Sequence, residues 1–393
     1  MKTDENADFL NTISPYFSVK PTKYGGRGCF ANTDLVQGTI VHRCSSPLSS
    51  TITRPFKKQV CESCFKFSEG KTFKFKLTSR KNTSTSTSPS ALYFCSQSCM
   101  DKFIALDIDD LYLESVLNVE RLFLRILKDR CQMNFKDEEE QETEMILKLE
   151  NELKQSNNNE LFISQKWQEV EMICQLQLSK LKTKQRQNLD GFIPRINENE
   201  YLDIKYIIGI LCQMYKNEYK SLSSESSSSL ELQIFPYLQS NDVEKIFKYP
   251  YLLHSYTNKI YKFLKFSTCE NLQPYITPPI IRSIIGKTLT NVYGIWSIDE
   301  TNGNEEFFGY SLYPSASFFN HSCHPNVIKI KNEGYFSFKL LRNVQKNEEL
   351  CVNYGVYIND DFETRQKFLK QWFFDCLCQR CVEEINVKNK EKV

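Results

Sequence analysis

Side chains that can do chemistry are concentrated near the C-terminal end of this 393-residue sequence. Residues 320–326 read Asn-His-Ser-Cys-His-Pro-Asn. The amide, imidazole and hydroxyl groups offer hydrogen-bond donors and acceptors, and Pro325 prevents a helix while it restricts His324. Taken alone, such a run is also typical of a polar turn after an apolar segment. Further along, residues 348–355 read Glu-Glu-Leu-Cys-Val-Asn-Tyr-Gly, and residues 376–381 read Cys-Leu-Cys-Gln-Arg-Cys.

The sequence contains 15 cysteines, and eight of them fall into two close-spaced sets. The polar, acidic start of the chain has no apolar signal segment, which predicts a reducing compartment, cytoplasmic or nuclear. Clustered cysteines in such a compartment bind metal more often than they form disulfides. The seven scattered cysteines are predicted to be small buried hydrophobic residues. The two sets are Cys61, Cys64, Cys95 and Cys99, and Cys323, Cys376, Cys378 and Cys381.

A glycine-rich run near the beginning of the chain is a second candidate site. Gly25, Gly26 and Gly28 lie within four positions, and the β-branched segment 39–41 that follows is typical of a strand. Glycine allows a backbone to bend sharply or to approach a ligand closely. The run therefore predicts either a ligand-binding turn or a plain hairpin.

Composition excludes several other classes of function. The formal net charge is only +2, and no basic helix has base-reading spacing, so direct nucleic-acid binding is not expected. No run of about 18 apolar residues exists, so no membrane span is predicted. The length allows two or three domains. We expect a monomer.

The three C-terminal pieces together resemble the SET domain of protein-lysine methyltransferases. Residues 320–326 match that family's Asn-His-Ser-Cys-x-Pro-Asn signature, and residues 349–354 match its Glu-Leu-x-x-x-Tyr strand. Residues 376–381 match its post-SET zinc loop. Three signatures in this order are far more specific than one. The resemblance implies an enzyme that transfers a methyl group from S-adenosylmethionine to a lysine side chain of a histone or another protein.

The resemblance also implies roles for individual residues. Tyr354 matches the catalytic tyrosine, whose hydroxyl orients the amine and stabilises the transferring methyl group. Asn320 and His321 would hold the amino-acid and adenine ends of the cofactor, and Phe374 would stack near the adenine. The predicted cofactor contacts are Gly26, Arg27, Gly28, Asn291, Ser317, Asn320, His321, Tyr354 and Phe374.

The chemistry of lysine methylation requires a neutral amine. Free lysine has a pKa of about 10.4, so a narrow apolar channel and a neighbouring sulfonium must disfavour the ammonium form. Aromatic side chains suit such a channel because they exclude water and tolerate a cation. The aromatic candidates are Tyr313, Tyr354, Trp372 and Phe374. Each could equally be a core residue, and only Tyr354 and Phe374 match positions of the family closely.

The first cysteine set resembles the MYND zinc finger that interrupts the SET domain in the SET-and-MYND subfamily. A full finger has four ligand pairs for two zinc ions, but here residues 73–90 replace the second pair and the fourth, His-Cys pair is absent. The first and third pairs share one zinc in that family, so the four cysteines make one complete structural site. In the second set, three cysteines cannot close a tetrahedral site, and Cys323 is the predicted fourth ligand. Two structural zinc ions are therefore expected.

The predicted fold is α+β, a β-rich SET core that a zinc finger and a long helical insert divide, as in a fungal-type member of the subfamily. Polar breaks at 157–159 and 221–229 predict disordered loops in the insert. No helical repeat domain is expected after the post-SET loop. The predicted divisions are residues 1–48 (N-terminal part of the SET domain), 55–103 (degenerate MYND-like finger), 104–286 (helical insert), 287–358 (C-terminal catalytic part of the SET domain) and 359–393 (post-SET zinc loop and tail).

A catalytically inactive scaffold is the alternative function. Such a protein would keep the SET/MYND-like fold and its zinc ions for protein–protein interaction. The eroded finger and the long insert favour this reading, whereas the intact Tyr354, Asn320 and His321 favour the enzyme. The sequence does not identify a substrate, so the target lysine and the number of methyl groups added are not predicted.

Overall fold

The computed structural model describes residues 9–44, 46–79, 90–130, 136–180, 189–222, 229–298, 305–332, 334–356 and 359–391 of the chain. The chain forms two compact units, each built from sheets and helices. The first unit comprises residues 1–47, 233–238 and 313–393, and the second comprises residues 48–232 and 239–312. This mixture confirms the predicted α+β class.

The strands are short. They are β1 Phe17–Pro21, β2 Arg27–Ala31, β3 Ile40–Arg43, β4 Ser49–Ile52, β5 Phe75–Thr78, β6 Ala91–Phe94, β7 Val292–Ile298, β8 Glu305–Leu312, β9 Asn320–His321, β10 Val327–Lys331, β11 Phe336–Leu340 and β12 Glu349–Val352.

The helices are concentrated in the second unit. They are α1 Gln97–Leu106, α2 Leu111–Arg130, α3 Lys136–Gln155, α4 Asn159–Ser179, α5 Glu198–Leu222, α6 Leu230–Ile234, α7 Asp242–Lys248, α8 Tyr251–His254, α9 Lys262–Ser267, α10 Pro278–Asn291, α11 Phe362–Leu369 and α12 Gln379–Glu391. A π-helical turn, Ser255–Tyr261, joins α8 to α9.

Two small sheets form the β part of the first unit. One has the order β1-β2-β12-β9, in which β12 is antiparallel to β2 and parallel to β9. The other has the order β10-β11-β3. Buried rings fill the core of this unit: Phe319 stacks on Phe338 at 4.5 Å between ring centroids and meets Phe17 edge-on at 5.2 Å. Such aromatic pairs add to the stability that burial alone provides.

The second unit is organised around α5. Its apolar residues recur at helical spacing, and Ile204, Ile207, Ile208 and Leu211 are all buried. Helix α2 packs on α5, where the rings of Phe123 and Tyr201 stack at 4.7 Å. The remaining sheets of this unit have the orders β4-β8-β7 and β5-β6.

Three local expectations need correction or restriction. The break at 157–159 is an ordered helix start, because the Asn158 side chain accepts a hydrogen bond from the Leu161 N–H and caps α4. Most of the second predicted loop, 223–228, lies outside the described residues. Among the scattered cysteines, Cys269 is exposed rather than buried.

In the described parts of the chain, no helix combines the length and apolar character that crossing a membrane requires.

Candidate active site and cysteine clusters

The sheet β1-β2-β12-β9 brings the separate sequence motifs of the first unit together. Strand β12 lies between β2, which begins at Arg27, and β9, which consists of Asn320 and His321. Tyr354 follows two residues after β12. Residues more than 300 positions apart in sequence are therefore neighbours on adjacent strands, for example Glu349 opposite Phe30.

Asn320 is held against β2 by its side-chain amide. Its Nδ2 donates to the carbonyl oxygen of Arg27 at 3.1 Å and to Glu349 Oε1 at 2.8 Å. A Cβ at Gly28 would lie 2.4 Å from that carboxylate oxygen and 2.8 Å from Asn320 Nδ2, so only glycine leaves room for this arrangement. Within the described residues, Asn320 Oδ1 accepts no hydrogen bond, which leaves an acceptor for a ligand amine.

Tyr354 is fixed at both ends. Its hydroxyl donates to the carbonyl oxygen of Phe319 at 3.0 Å, and its backbone N–H donates to His321 Nδ1 at 3.1 Å. Burial raises the pKa of Tyr354 above its ordinary value of 10.0. The hydroxyl therefore remains protonated at neutral pH and serves as a dipole, not as a phenolate. Burial also lowers the pKa of His321 to about 4, so its imidazole is neutral.

Three of the four aromatic candidates meet in one cluster. The ring of Tyr354 lies 6.0 Å from that of Trp372 and 6.3 Å from that of Phe374, measured between centroids. Phe374 also lies 6.2 Å from His321. Tyr313 is different, because it is 1% exposed, packs edge-on against Phe336 and donates to the carbonyl oxygen of Gly334. Tyr313 is therefore a core residue and not a wall of the predicted channel.

The remaining predicted cofactor contacts occupy different surroundings. The guanidinium group of Arg27 donates to the carbonyl oxygen of Tyr237 and lies over the ring of Phe318. Ser317 donates to the carbonyl oxygen of Tyr313 at 3.2 Å. Asn291 belongs to the second unit, where its amide donates to the carbonyl oxygens of residues 239 and 287. A cofactor role for these three residues stays a prediction.

The C-terminal cysteines come together as the sequence predicted. The Sγ atoms of Cys323, Cys376, Cys378 and Cys381 lie within 4.8 Å of one another, and Cys323 is 3.9 Å from Cys376 and 3.6 Å from Cys381. A tetrahedral zinc ion with bonds of about 2.3 Å requires sulfur atoms about 3.8 Å apart. The donor set and its spacing therefore fit zinc.

Helix α11 supports this cluster with residues that the motif does not include. Gln366 donates to the carbonyl oxygen of Cys376 at 2.8 Å and accepts from its N–H at 2.9 Å. The side chain of Arg365 is fully buried, with Nη2 at 3.9 Å from Cys381 Sγ and an ion pair to Glu384 at 2.5 Å. Burial opposes the charge of Arg365, but the bonds to Glu384, Cys323 and Cys381 together outweigh burial and raise the pKa of the guanidinium. With zinc bound, the guanidinium would offset part of the negative charge of the four cysteine ligands.

The cysteines of the finger form a second group of the same kind. The Sγ atoms of Cys61, Cys64, Cys95 and Cys99 lie within 4.8 Å of one another, with Cys95 at 3.5 Å from both Cys64 and Cys99. Ser96 caps α1 by accepting from the Cys99 N–H, which fixes Cys99 in the first turn. A hydrogen bond with Cys64 lowers the pKa of Cys61, so this thiol loses its proton more readily than a free cysteine.

Sequence reasoning missed the residues that hold the site from outside the motifs. Arg365, Gln366 and Glu384 flank the C-terminal cluster, and Glu349 anchors Asn320. Glu349 could have been found from the sequence, because it belongs to the matched strand and a charged residue next to Leu350 needs a polar partner. Nothing in the sequence distinguishes Arg365 from an exposed helix arginine.

Comparison with known proteins agrees with the geometry. The SET domain family model matches residues 26–355, so the chain belongs to the SET domain family, the class of protein-lysine methyltransferases. The chain is 30% identical over 388 residues to the "Potential protein lysine methyltransferase SET6" of Saccharomyces cerevisiae. The alignment covers 96% of this chain and 97% of that protein.

Shorter matches fall on more distant relatives. A "SET and MYND domain-containing protein" of Dictyostelium discoideum is 36% identical over 106 residues, which cover 27% of this chain and 26% of that protein. The "Histone-lysine N-methyltransferase ASHR2" of Arabidopsis thaliana is 27% identical over 135 residues, which cover 32% of this chain and 34% of that protein. The SET-and-MYND resemblance is thus supported together with the SET domain itself.

Proposed function

We propose that this protein is an S-adenosylmethionine-dependent protein-lysine N-methyltransferase with two structural zinc ions. The observation that carries the proposal is the meeting of Gly28, Asn320, His321 and Tyr354 on one sheet, beside an aromatic cluster. The yeast relative's name supports the same reaction. The substrate is a protein with a target lysine, histone or non-histone, and the protein acts in the nucleus or the cytoplasm.

The cofactor, when bound, supplies an electrophilic methyl group on a positively charged sulfur. Asn320 Oδ1 is suited to accept a hydrogen bond from the cofactor's amine, and the ring of Phe374 offers a face for the adenine. The close fit of Gly28 fixes Asn320, so this amide is positioned before any ligand arrives. Such preorganisation reduces the ordering cost of binding.

The protein's own contribution to the reaction is position and desolvation. Tyr354 presents a hydroxyl that stays protonated and that the carbonyl oxygen of Phe319 orients. The rings of Trp372 and Phe374 exclude water next to it and so disfavour a charged lysine. A single oriented group at a place where charge moves is often worth a hundredfold or more in rate.

The test is transfer of radiolabelled methyl groups to proteins of a whole-cell extract. The wild type should label at least one protein, and Tyr354→Phe should cut the rate by about a hundredfold or change the number of methyl groups added. The substitution removes only an oxygen, so folding and cofactor binding should stay close to those of the wild type.

An inactive scaffold predicts a different result. In that case Tyr354 is only a packing residue, and phenylalanine keeps its ring. Neither the wild type nor Tyr354→Phe should then label any protein. Absence of S-adenosylmethionine binding to the wild type in calorimetry would reject the enzyme. Equal labelling by wild type and Tyr354→Phe, with the same product, would reject Tyr354 as the catalytic residue.

A further inference from the structure

His321 connects the C-terminal cysteine cluster to the backbone of Tyr354. Its Nε2 lies 3.3 Å from Cys323 Sγ, and its Nδ1 accepts the backbone N–H of Tyr354 at 3.1 Å. The residue is only 8% exposed. Water therefore competes little for either contact, and the imidazole bridges a predicted metal ligand and the predicted catalytic residue.

The partners of the ring determine which nitrogen carries the proton. A backbone N–H can only donate, so Nδ1 must be unprotonated in order to accept from Tyr354. In neutral imidazole the single proton then lies on Nε2, which points toward Cys323 Sγ. A zinc-bound thiolate carries negative charge and is a stronger acceptor than a free thiol. The bond from Nε2 to Cys323 is therefore strongest when the cluster holds its metal.

The bridge continues beyond the backbone of Tyr354. The hydroxyl of the same residue donates to the carbonyl oxygen of Phe319, two positions before His321. The ring of Tyr354 also lies 5.4 Å from that of His321. A rotation of the imidazole would disturb the Tyr354 N–H bond and the ring contact together, because one side chain makes both.

We propose that His321 is a positioning residue that couples metal occupancy of the C-terminal cysteine cluster to the placement of Tyr354. This inference rests on the proposed function, since it takes Tyr354 as the catalytic residue. It assigns to the imidazole side chain a task separate from cofactor binding. Because His321 contacts Cys323, the proposal concerns the metal of the C-terminal cluster.

Two substitutions separate the two contacts of the ring. The amide of asparagine reaches about as far as Nδ1, so His321→Asn keeps an acceptor for Tyr354 but loses the donor to Cys323. The amide of glutamine reaches about as far as Nε2, so His321→Gln keeps the donor but loses the acceptor. His324→Gln is the matched control, because His324 is exposed and also adjoins Cys323.

Each full-length variant is measured for zinc release to a chromogenic chelator and for methyl transfer. The Cys99→Ser variant identifies which release phase belongs to the finger. Loss of a partner around a metal ligand typically costs about ten- to a hundredfold in affinity or activity. His321→Asn should therefore speed release from the C-terminal cluster about tenfold, whereas His321→Gln should release zinc at nearly the wild-type rate.

Methyl transfer should show the opposite pattern. With zinc in excess, His321→Gln should lose about tenfold in kcat with little change in the KM for S-adenosylmethionine, and His321→Asn should lose less. His324→Gln should match the wild type in both assays. Equal losses in both assays for both His321 variants would show a packing role and overturn the proposal.

Two further results keep the outcomes distinct. A wild type that transfers no methyl group would overturn the proposed function and the catalytic half of this inference, while zinc release would still test the bond to Cys323. If a variant fails to fold, nitrogen NMR of the wild type decides, because the chain has only four histidines. An Nε2–H tautomer for His321 is expected, and an Nδ1–H tautomer would refute the bridge.

Discussion

The fit of Gly28 gives a sharp test of how the Asn320 site is built. In Gly28→Ala the added Cβ would lie 2.4 Å from Glu349 Oε1 and 2.8 Å from Asn320 Nδ2. Both distances are far below contact distance, so the Asn320 and Glu349 side chains must move apart from β2. That movement breaks the bonds from Asn320 to the Arg27 carbonyl and to the Glu349 carboxylate.

The size of the effect follows from these two bonds. A neutral hydrogen bond contributes about 1 kcal/mol and one to a charged group about 1.5–3 kcal/mol, so Gly28→Ala should lose about 2.5–4 kcal/mol of unfolding free energy. Displacing Asn320 should also remove its contact with the cofactor, worth about 1.5–3 kcal/mol. The affinity for S-adenosylmethionine should therefore fall roughly ten- to a hundredfold.

Gly25→Ala is the control for the backbone. Gly25 has φ +91°, but no atom lies within 4 Å of the position of an added Cβ. This variant should lose about 1–2 kcal/mol through backbone strain alone and should bind the cofactor nearly as well as the wild type. Urea unfolding and calorimetry measure the two quantities. Wild-type affinity in Gly28→Ala would refute the role given to Asn320, whatever its stability.

Four further outcomes follow from the same structure. Asn320→Ala should weaken S-adenosylmethionine binding roughly ten- to a hundredfold in calorimetry, and an unchanged affinity would exclude its amide from the site. Metal analysis should give about two zinc ions per chain, whereas three would indicate missed ligands and one a finger without metal. Arg365→Met should release the C-terminal zinc about tenfold faster than Arg365→Lys, because only lysine keeps the positive charge. Equal release rates would show that the charge of Arg365 does not help to retain the metal. Burial raises the pKa of Asp203 from 3.8 to about 6. The contribution of Asp203 to the free energy of unfolding is therefore full below pH 3.8 and is lost as the pH rises through 6. Over that range the wild type should lose stability relative to Asp203→Asn, and a difference that does not change with pH would contradict the raised pKa.

The two cysteine clusters were predictable because the requirements of metal binding constrain the number and the spacing of cysteines. A tetrahedral site needs four sulfur atoms, so three cysteines in 376–381 required a fourth, and the structure places Cys323 beside them. The segments 327–331 and 350–353 also predict strands, since their apolar residues alternate or cluster between turn residues. The structure has strands at Val327–Lys331 and Glu349–Val352. Both predictions depended on local patterns that long-range packing does not override.

The sequence was a poorer guide to the ends of helices and to the surroundings of one buried ring. The sequence of residues 363–374 predicts one continuous helix. Helix α11 instead ends at Leu369, and Phe373 adopts a left-handed conformation with φ +61°. Residues 290–296 resemble the SET family's Asn-x-aromatic-x-Ile strand, but helix α10 continues to Asn291 and strand β7 begins at Val292. Tyr313 was a channel candidate by residue type, with a core role equally open, and its packing on Phe336 shows that it belongs to the core.

The reduced finger is weaker support for a scaffold than its sequence suggested. Cys99 stands in the first turn of α1, and Phe103 follows one turn later on the same face of that helix. The ring of Phe103 lies 5.2 Å from that of Phe94 and 5.8 Å from that of Tyr112. The helix is thus held by the cysteine cluster at its start and by aromatic packing beyond it. Because apolar packing can stabilise what a second metal stabilises in a full finger, the missing ligand pairs do not imply that selection on this region was lost.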